Sequence, residues 1–317
     1  MNRDADSGAR IPRRLHYVWV GPKPLPAKVR DLVEGWRRLN PTYEIMFWNE
    51  ENIDFSYRFV RTAYGMRAWN RVSDFVRMWA LAKFGGIYLD TDIELRRPLD
   101  DLLEDPCFLG FQLEAEHPDW VNGAVLGSVP GHWLVKALLR HFICNMGGWE
   151  ELGSYYGPGL ITTMLRRAGL HRYADEPQYV RDIRLYPRRY FYPYAWTESF
   201  SEACVTPDTY AIHHWEDSWR KSPRFGDRLE RAFLRNFAWA VPSLACRIQL
   251  VSTRRHQRTG EQAPPPLPVT PPAAFTLPAA VTPPIIKPAA ATAPPTITAP
   301  PTITAPATTT PILEKSA

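Results

Sequence analysis

The sequence predicts an α/β domain, a sheet covered by helices, followed by a low-complexity tail. Two observations carry that reading. Between residues 15 and 215, apolar runs of strand length alternate with stretches of helical spacing. Near Gln262 the composition changes. From Ala263 to Pro311 the chain is almost wholly Pro, Ala, Thr and small apolar residues, holds half of the 32 prolines, and repeats itself as APPTITAPPTIT. Such a stretch neither donates a regular ladder nor buries a core, so residues 263–317 are expected to be disordered and partly polyproline II. The remainder suffices for one large domain or two small ones, with 45% hydrophobic residues over the 317 of the chain.

The elements follow in order. LHYVWV (15–20) is a buried strand ended by Gly21-Pro22, and PAKVRDLVEGWRRL (26–39) has helical spacing stopped by Asn40-Pro41. YEIMFWN (43–49) is a second strand. RVSDFVRMWALAKF (71–84) is a helix with Val72, Phe75, Val76 and Trp79 on one face, and Gly85 is placed as its left-handed C-cap. IYLDTDIEL (87–95), CFLGFQLE (107–114) and NGAVLGSV (122–129) are further strands. HWLVKALLRHFICNM (132–146) is a helix, another helix starts near Gly159, and YAIHHW (210–215) is a final strand.

Open sheets of this kind bind ligands at the carboxyl ends of their strands, where Asp90 and Asp92 lie. With extended backbone through Thr91, residues i and i+2 project to one side, so the two carboxylates share one site. Alone they repel, and one holds a proton; a hard divalent cation, Mn²⁺ or Mg²⁺, resolves the repulsion. A lone D-x-D also fits a solvated turn. Its neighbours favour chemistry. Ser73, Asp74 and Arg77 lie on the preceding helix, Asp74 and Arg77 on one face at i, i+3. AIHHWEDSW (211–219) adds His213, His214, Ser218 and Trp219, and histidine is a common ligand of first-row metals. The first strand and its Gly turn offer main chain and an aromatic to a nucleotide.

Other totals narrow the partners. Net charge is +5, with basic residues scattered rather than striped, which argues against nucleic acid and fits an anionic substrate or surface. Twelve Trp and 14 Tyr serve cores and also the stacking walls of sugar and base pockets. Cys107, Cys144, Cys204 and Cys246 form no CxxC pair, the opening MNRDADSGARIPRR lacks an apolar signal core, and no apolar window spans a bilayer. A cytoplasmic setting is expected. Residues 229–251 mix Phe, Trp, Leu and Val with Arg235, Pro242 and Arg247, which suits a helix pair packed on the domain or an interfacial helix in peripheral contact with the inner face of a membrane.

IPRRLHYVWVG (11–21), YEIMFWNEENID (43–54), RVSDFVRMWALAKFGGIYLDTDIELRRPLDDLL (71–103), VNGAVLGSVPGHW (121–133), YGPGLITTML (156–165) and YAIHHWEDSW (210–219) together resemble the DXD-motif sugar-binding glycosyltransferases, glycosyltransferase family 32. That family includes the initiating α-1,6-mannosyltransferase and capsular polysaccharide types. The specific part is S-D-x-x-R followed by G-G-x-Y-x-D-x-D. The resemblance implies a GT-A-type, Rossmann-like mixed sheet over residues 11–220; outside it, 1–10 is expected to be a flexible N-terminus and 221–262 a helical extension. It implies a metal-dependent transfer of a hexose, with retention, from a nucleotide-diphosphate sugar to a glycan, lipid-linked or other hydroxyl acceptor. Asp90 and Asp92 would bind Mn²⁺ or Mg²⁺ and through it the diphosphate, with His213 or Ser218 completing the shell and His214 a rival. Asp74 and Arg77 would contact the transferred sugar. Val18, Trp19, Ser73, Tyr88, Ser218 and Trp219 would line the donor, and Asn122, in the VNGAVLG loop, would face the reaction centre. No residue stands out as a nucleophile.

Two other classes stay open. A haloacid-type phosphohydrolase also carries D-x-D after an apolar strand, but wants Thr or Val where Glu94 stands. A calcium loop fails because Leu95 replaces its turn glycine. A non-catalytic nucleotide-sugar binder shares every residue named above.

Overall fold

The computed structural model describes residues 10–144, 157–216, 237 and 240–259, with backbone alone at 255–259. Ser218, Trp219, most of the 221–262 extension, the first nine residues and the 263–317 tail lie outside the described residues. In chain order the elements are β1 (Arg14–Val18), α1 (Ala27–Leu39), β2 (Glu44–Trp48), α2 (Arg58–Gly65), α3 (Trp69–Phe84), β3 (Gly86–Leu89) and β4 (Ile93–Leu95). β5 (Cys107–Phe111), β6 (Val121–Ser128), α4 (Trp133–Cys144), α5 (Pro158–Ala168), β7 (Gln178–Val180), β8 (Ile183–Tyr186), β9 (Ala211–His213) and α6 (Pro242–Thr259) follow.

Seven strands form one sheet in the order β2-β1-β3-β6-β5-β8-β7, and β4 and β9 form a separate pair. β2, β1 and β3 are parallel, β6 is antiparallel to both β3 and β5, β8 is parallel to β5, and β7 is antiparallel to β8. This is the α/β, Rossmann-like mixed sheet expected of a GT-A-type fold. Alternation along each strand divides the core into two clusters. Leu15, Tyr17, Ile45, Ile87 and Leu89 pack with Val33 and Trp36 of α1, whereas Met46, Trp48 and Tyr88 pack with Phe59 of α2 and Phe75 and Val76 of α3.

Three expectations change. The segment 87–95 is not one strand: after Leu89 the chain turns, with the Ile93 N–H bonded to the Asp90 carbonyl at 3.1 Å, and resumes as β4. Asp at the first position suits such a turn, and β4 leaves the large sheet to pair with β9. Gly85 ends α3 at φ 61° but ψ −171°, so the chain leaves the helix extended rather than left-handed helical. NGAVLGSV is the strand read from the sequence, β6, buried along its whole length between β3 and β5, so Asn122 does not lie in the loop that the resemblance implied. Helix α2 and strands β7 and β8 are additional to the sequence reading.

The Gly85-Gly86 pair sets how closely α3 approaches β3. A Cβ on Gly85 would stand 2.6 Å from Pro130 Cδ, and one on Gly86 2.8 Å from the Arg14 carbonyl oxygen and 2.9 Å from His16 Nε2. Gly86 also has φ 109°, a conformation L side chains rarely adopt. The turn is locked by His16. Its Nε2 lies 2.8 Å from the Gly85 carbonyl and its Nδ1 accepts from Trp48 Nε1 at 3.2 Å, which fixes the neutral tautomer protonated at Nε2.

Burial holds His16 well below its ordinary range, at about 4, against the pull of the Gly85 carbonyl, while Arg14 lowers it further and Glu44 raises it. The folded value lies below the unfolded one, so this contribution is complete above pH 6.5 and is lost as pH falls from there towards 4. Its size is roughly 3 kcal/mol. Urea midpoints measured at pH 7.5 and pH 4.5 are expected to fall further in the wild type than in His16→Gln; equal falls would contradict the assignment.

Candidate active site

The site forms where α3, the carboxyl end of β3 and the β4–β9 pair meet. The Asp90 N–H is tied to the Ala124 carbonyl of β6 at 2.9 Å, which fixes its backbone at the carboxyl end of β3. From α3, Arg77 reaches across: its Nη2 donates to Asp90 Oδ1 at 2.7 Å and lies 3.6 Å from Asp74 Oδ1. The guanidinium sits 4.4 Å above the Tyr88 ring, and the Tyr88 hydroxyl and Ser73 Oγ are 2.9 Å apart. Arg77 is only 5% exposed. Space for it comes from Gly123 of β6, where a Cβ would come within 3.1 Å of Arg77 Nη1.

Asp92 is held from the other side. His213 Nε2 stands 3.2 Å from its Oδ1, the Glu216 N–H donates to its Oδ2 at 2.8 Å, and its carbonyl accepts the His214 N–H at 3.1 Å. The β4–β9 register pairs Ile93 with His213, so the imidazole lies beside the turn. The two strands of this pair are placed by α1, since Trp36 Nε1 donates to the Ile93 carbonyl at 2.8 Å.

Ligand atoms of Asp90, Asp92 and His213 all lie within 4.8 Å of one another. His214 does not join them: its Nε2 faces Glu94 Oε2 at 2.9 Å. His213 Nε2 is the nitrogen that faces Asp92, so with the ring proton on Nδ1 its lone pair points at the carboxylate pair; Nδ1 is buried and has no hydrogen-bond partner among the described residues. Two carboxylates and an imidazole whose ligand atoms lie this close together fit a first-row divalent cation.

The charges are split within the pair. Burial pushes Asp90 above the usual carboxylate range and Asp92 adds to this, while Arg77 opposes both. Burial also works against ionised Asp92, but His213 and the Glu216 N–H outweigh it and hold Asp92 low. Burial raises Asp74 likewise, against the pull of Arg77. Arg77 itself is kept charged: desolvation is overcome by Asp90, Tyr88 and Asp74.

The other expected residues are placed as follows. Val18 is buried in the core, and Trp19 beside it is partly exposed, its Nε1 donating to the Lys23 carbonyl at 2.9 Å. The Asn122 side chain is buried inside the sheet, donating to Gln112 Oε1 at 2.6 Å and accepting the Ala124 N–H at 2.8 Å. It therefore shapes the β6 backbone that anchors Asp90. Tyr192, Trp215 and Glu216 were not singled out from the sequence. The Tyr192 hydroxyl accepts the Val125 N–H at 3.1 Å, and the Trp215 ring lies 4.0 Å from that of His213. Only a Trp directly after the His pair hinted at them.

Removing the guanidinium strands carboxylates that keep little solvent. Arg77→Met is expected to lower unfolding free energy by about 2 kcal/mol, and Arg77→Met/Asp90→Asn to recover part of it, in urea titrations. A single variant as stable as the wild type would contradict the pairing.

Two family models match the chain. Residues 26–109 match the glycosyltransferase sugar-binding region containing the DXD motif, and residues 128–227 the α1,4-glycosyltransferase conserved region. Inositol phosphoceramide mannosyltransferase 3 of Schizosaccharomyces pombe is 30% identical over 142 residues, 43% of this chain and 38% of its own. Lactosylceramide 4-alpha-galactosyltransferase of Mus musculus is 31% identical over 153 residues, 45% of this chain and 40% of its own. The uncharacterized glycosyltransferase L373 of Acanthamoeba polyphaga mimivirus is 24% identical over 217 residues, 66% of this chain and 84% of its own. The chain thus spans about two fifths of the length of the first two. The D-x-D pair lies inside one matched region and the histidine that meets it inside the other, so over the residues that form the site the chain is similar to the DXD-motif sugar-binding glycosyltransferases.

Proposed function

We propose that this chain transfers a hexose from a nucleoside-diphosphate sugar to a hydroxyl of a glycan or lipid-linked acceptor, with Mn²⁺ or Mg²⁺ and with retention at the anomeric carbon. The observation that carries the reading is the meeting of Asp90, Asp92 and His213 beside the Arg77–Asp74 pair. The family relation and the names of two relatives, a mannosyltransferase and a galactosyltransferase whose names both contain ceramide, support a hexose donor and a lipid-linked acceptor.

Transfer joins the acceptor oxygen to the anomeric carbon and breaks the bond from that carbon to the β-phosphate oxygen. The nucleoside diphosphate leaves with the electron pair, and the acceptor proton passes to it or to solvent. Asp90, Asp92 and His213 would hold the dication, which would supply Lewis-acid stabilisation of that leaving group. Arg77 keeps Asp90 oriented, and Asp74, more exposed than its partner Arg77, accepts hydrogen bonds from hydroxyls of the transferred sugar. Tyr88 and Ser73 form the floor under Arg77. Trp19, with the backbone of Val18, lines base and ribose at the end of β1. Asn122 holds the β6 backbone under the reacting centre. Ser218 and Trp219 complete the donor side in this reading.

The test is a panel of UDP-glucose, UDP-galactose, UDP-N-acetylhexosamines and GDP-mannose scored for nucleotide release with and without Mn²⁺. At least one donor is expected to release nucleotide only with the metal, and Asp92→Ala to abolish that release at an unchanged melting temperature. Full activity in the variant would contradict the metal role, and phosphate release from a generic monoester would favour the phosphohydrolase class.

A further inference from the structure

Helix α6 has two apolar faces. Its inner face packs Ala245 and Cys246 on α2, where a Cβ on Gly65 would stand only 2.8 Å from the Ala245 Cβ. Its outer face carries Leu244, Ile248 and Val251, 51%, 49% and 69% exposed, at a spacing that aligns them in one stripe, with Val241 just ahead of the helix at 40%. Arg247 and Arg254 are exposed on the same side, and neither has a carboxylate partner within salt-bridge distance among the described residues. From 242 to 259 the sequence holds Arg247, Arg254, Arg255 and Arg258 and no Asp or Glu.

The helix is fixed to the domain by polar contacts as well. Arg67 Nε donates to Gln249 Oε1 at 3.0 Å. Thr253 Oγ1 and the Tyr64 hydroxyl are 2.9 Å apart, Tyr64 meets Glu50 Oε1 at 2.9 Å, and the same oxygen accepts the Gly21 N–H at 2.6 Å. This buried chain runs from α6 to the turn after β1, at the edge of the sheet where the strands end in the candidate site. The outer stripe is therefore a rigid part of the domain.

We propose that the outer face of α6 docks on an anionic lipid surface, Leu244, Ile248 and Val251 entering the boundary between headgroups and acyl chains while the arginines meet lipid phosphates. Charge complementarity selects this occupant. A second copy of the chain seated by a two-fold axis would set arginine against arginine with no acid on the helix to answer it. An anionic bilayer answers both the apolar stripe and the cations. None of the described helices is long and apolar enough to cross a membrane, so the contact is peripheral. The proposal does not depend on the glycosyl-transfer reading.

Cosedimentation of the full chain with vesicles tests it. Binding is expected to vesicles of phosphatidylcholine with 30% phosphatidylglycerol, to be weak on phosphatidylcholine alone, and to fall with added salt, at a vesicle composition of roughly that anionic content. Leu244→Ser/Ile248→Ser/Val251→Ser is expected to weaken it about tenfold or more, and each of Arg247→Gln and Arg254→Gln about fivefold. Tyr179→Ser, an exposed apolar side chain elsewhere, leaves binding unchanged. Circular dichroism melts confirm that the variants fold, and because the substituted side chains are exposed, midpoints close to wild type are expected. Wild-type binding by the triple variant, or no preference for anionic vesicles, would overturn the proposal. So would a concentration-dependent dimer, seen by analytical ultracentrifugation, that the triple variant abolishes.

Discussion

Arg77 spends a full charge inside the protein, and the candidate site is arranged around that fact. An almost unexposed guanidinium is stable only where carboxylates answer it, and here Asp74 and Asp90 do so from two different elements. Helix α3 and strand β3 are thereby joined at the point where the D-x-D turn begins. The Tyr88 ring beneath and Gly123 beside the guanidinium supply a face and a space for it. Because Asp90 is engaged by Arg77 on one side, Asp92 is left to be held from the other, by His213 and the Glu216 N–H. The result is a pair of acids with unequal tasks at one strand end.

The approach of α3 to β3 is set by backbone sterics. Side chains at Gly85 and Gly86 would collide with Pro130, Arg14 and His16. His16 secures the same turn by reading the Gly85 carbonyl, and Trp48 secures His16. A neutral buried histidine thus serves geometry at one end of β3, while the carboxyl end of the same strand gathers charge.

Much of this was legible in the sequence. The helical spacing of Val72, Phe75 and Val76 and the apolar run Ile87–Leu89 are strong local signals, so α3 and β3 and the nearness of Asp74, Arg77 and Asp90 followed from them. The turn at 90–92 was not legible, because whether a strand continues past Leu89 depends on β4 finding β9, more than a hundred residues later. Nor was the choice between His213 and His214. Adjacent residues of a strand point to opposite faces, and only the register Ile93 to His213 decides which imidazole meets Asp92. The strand 122–129 was legible, but the resemblance placed Asn122 in a loop; the glycines of β6 make room for neighbours, Gly123 for Arg77 and Gly127 for Phe108. Short β7 and β8 have too few residues to show a period. The outer stripe of α6 could not be told from a core face until α2 was seen to cover the other side.

The central claim is that Asp90, Asp92 and His213 form one cation site from which His214 is excluded. Titration of Mn²⁺ followed by its electron paramagnetic resonance signal tests it most directly, on the wild type and on His213→Ala and His214→Ala. Near-equal affinity is expected in the wild type and His214→Ala, and a loss of roughly tenfold or more in His213→Ala. Unchanged affinity in His213→Ala, with the loss found in His214→Ala instead, would contradict it.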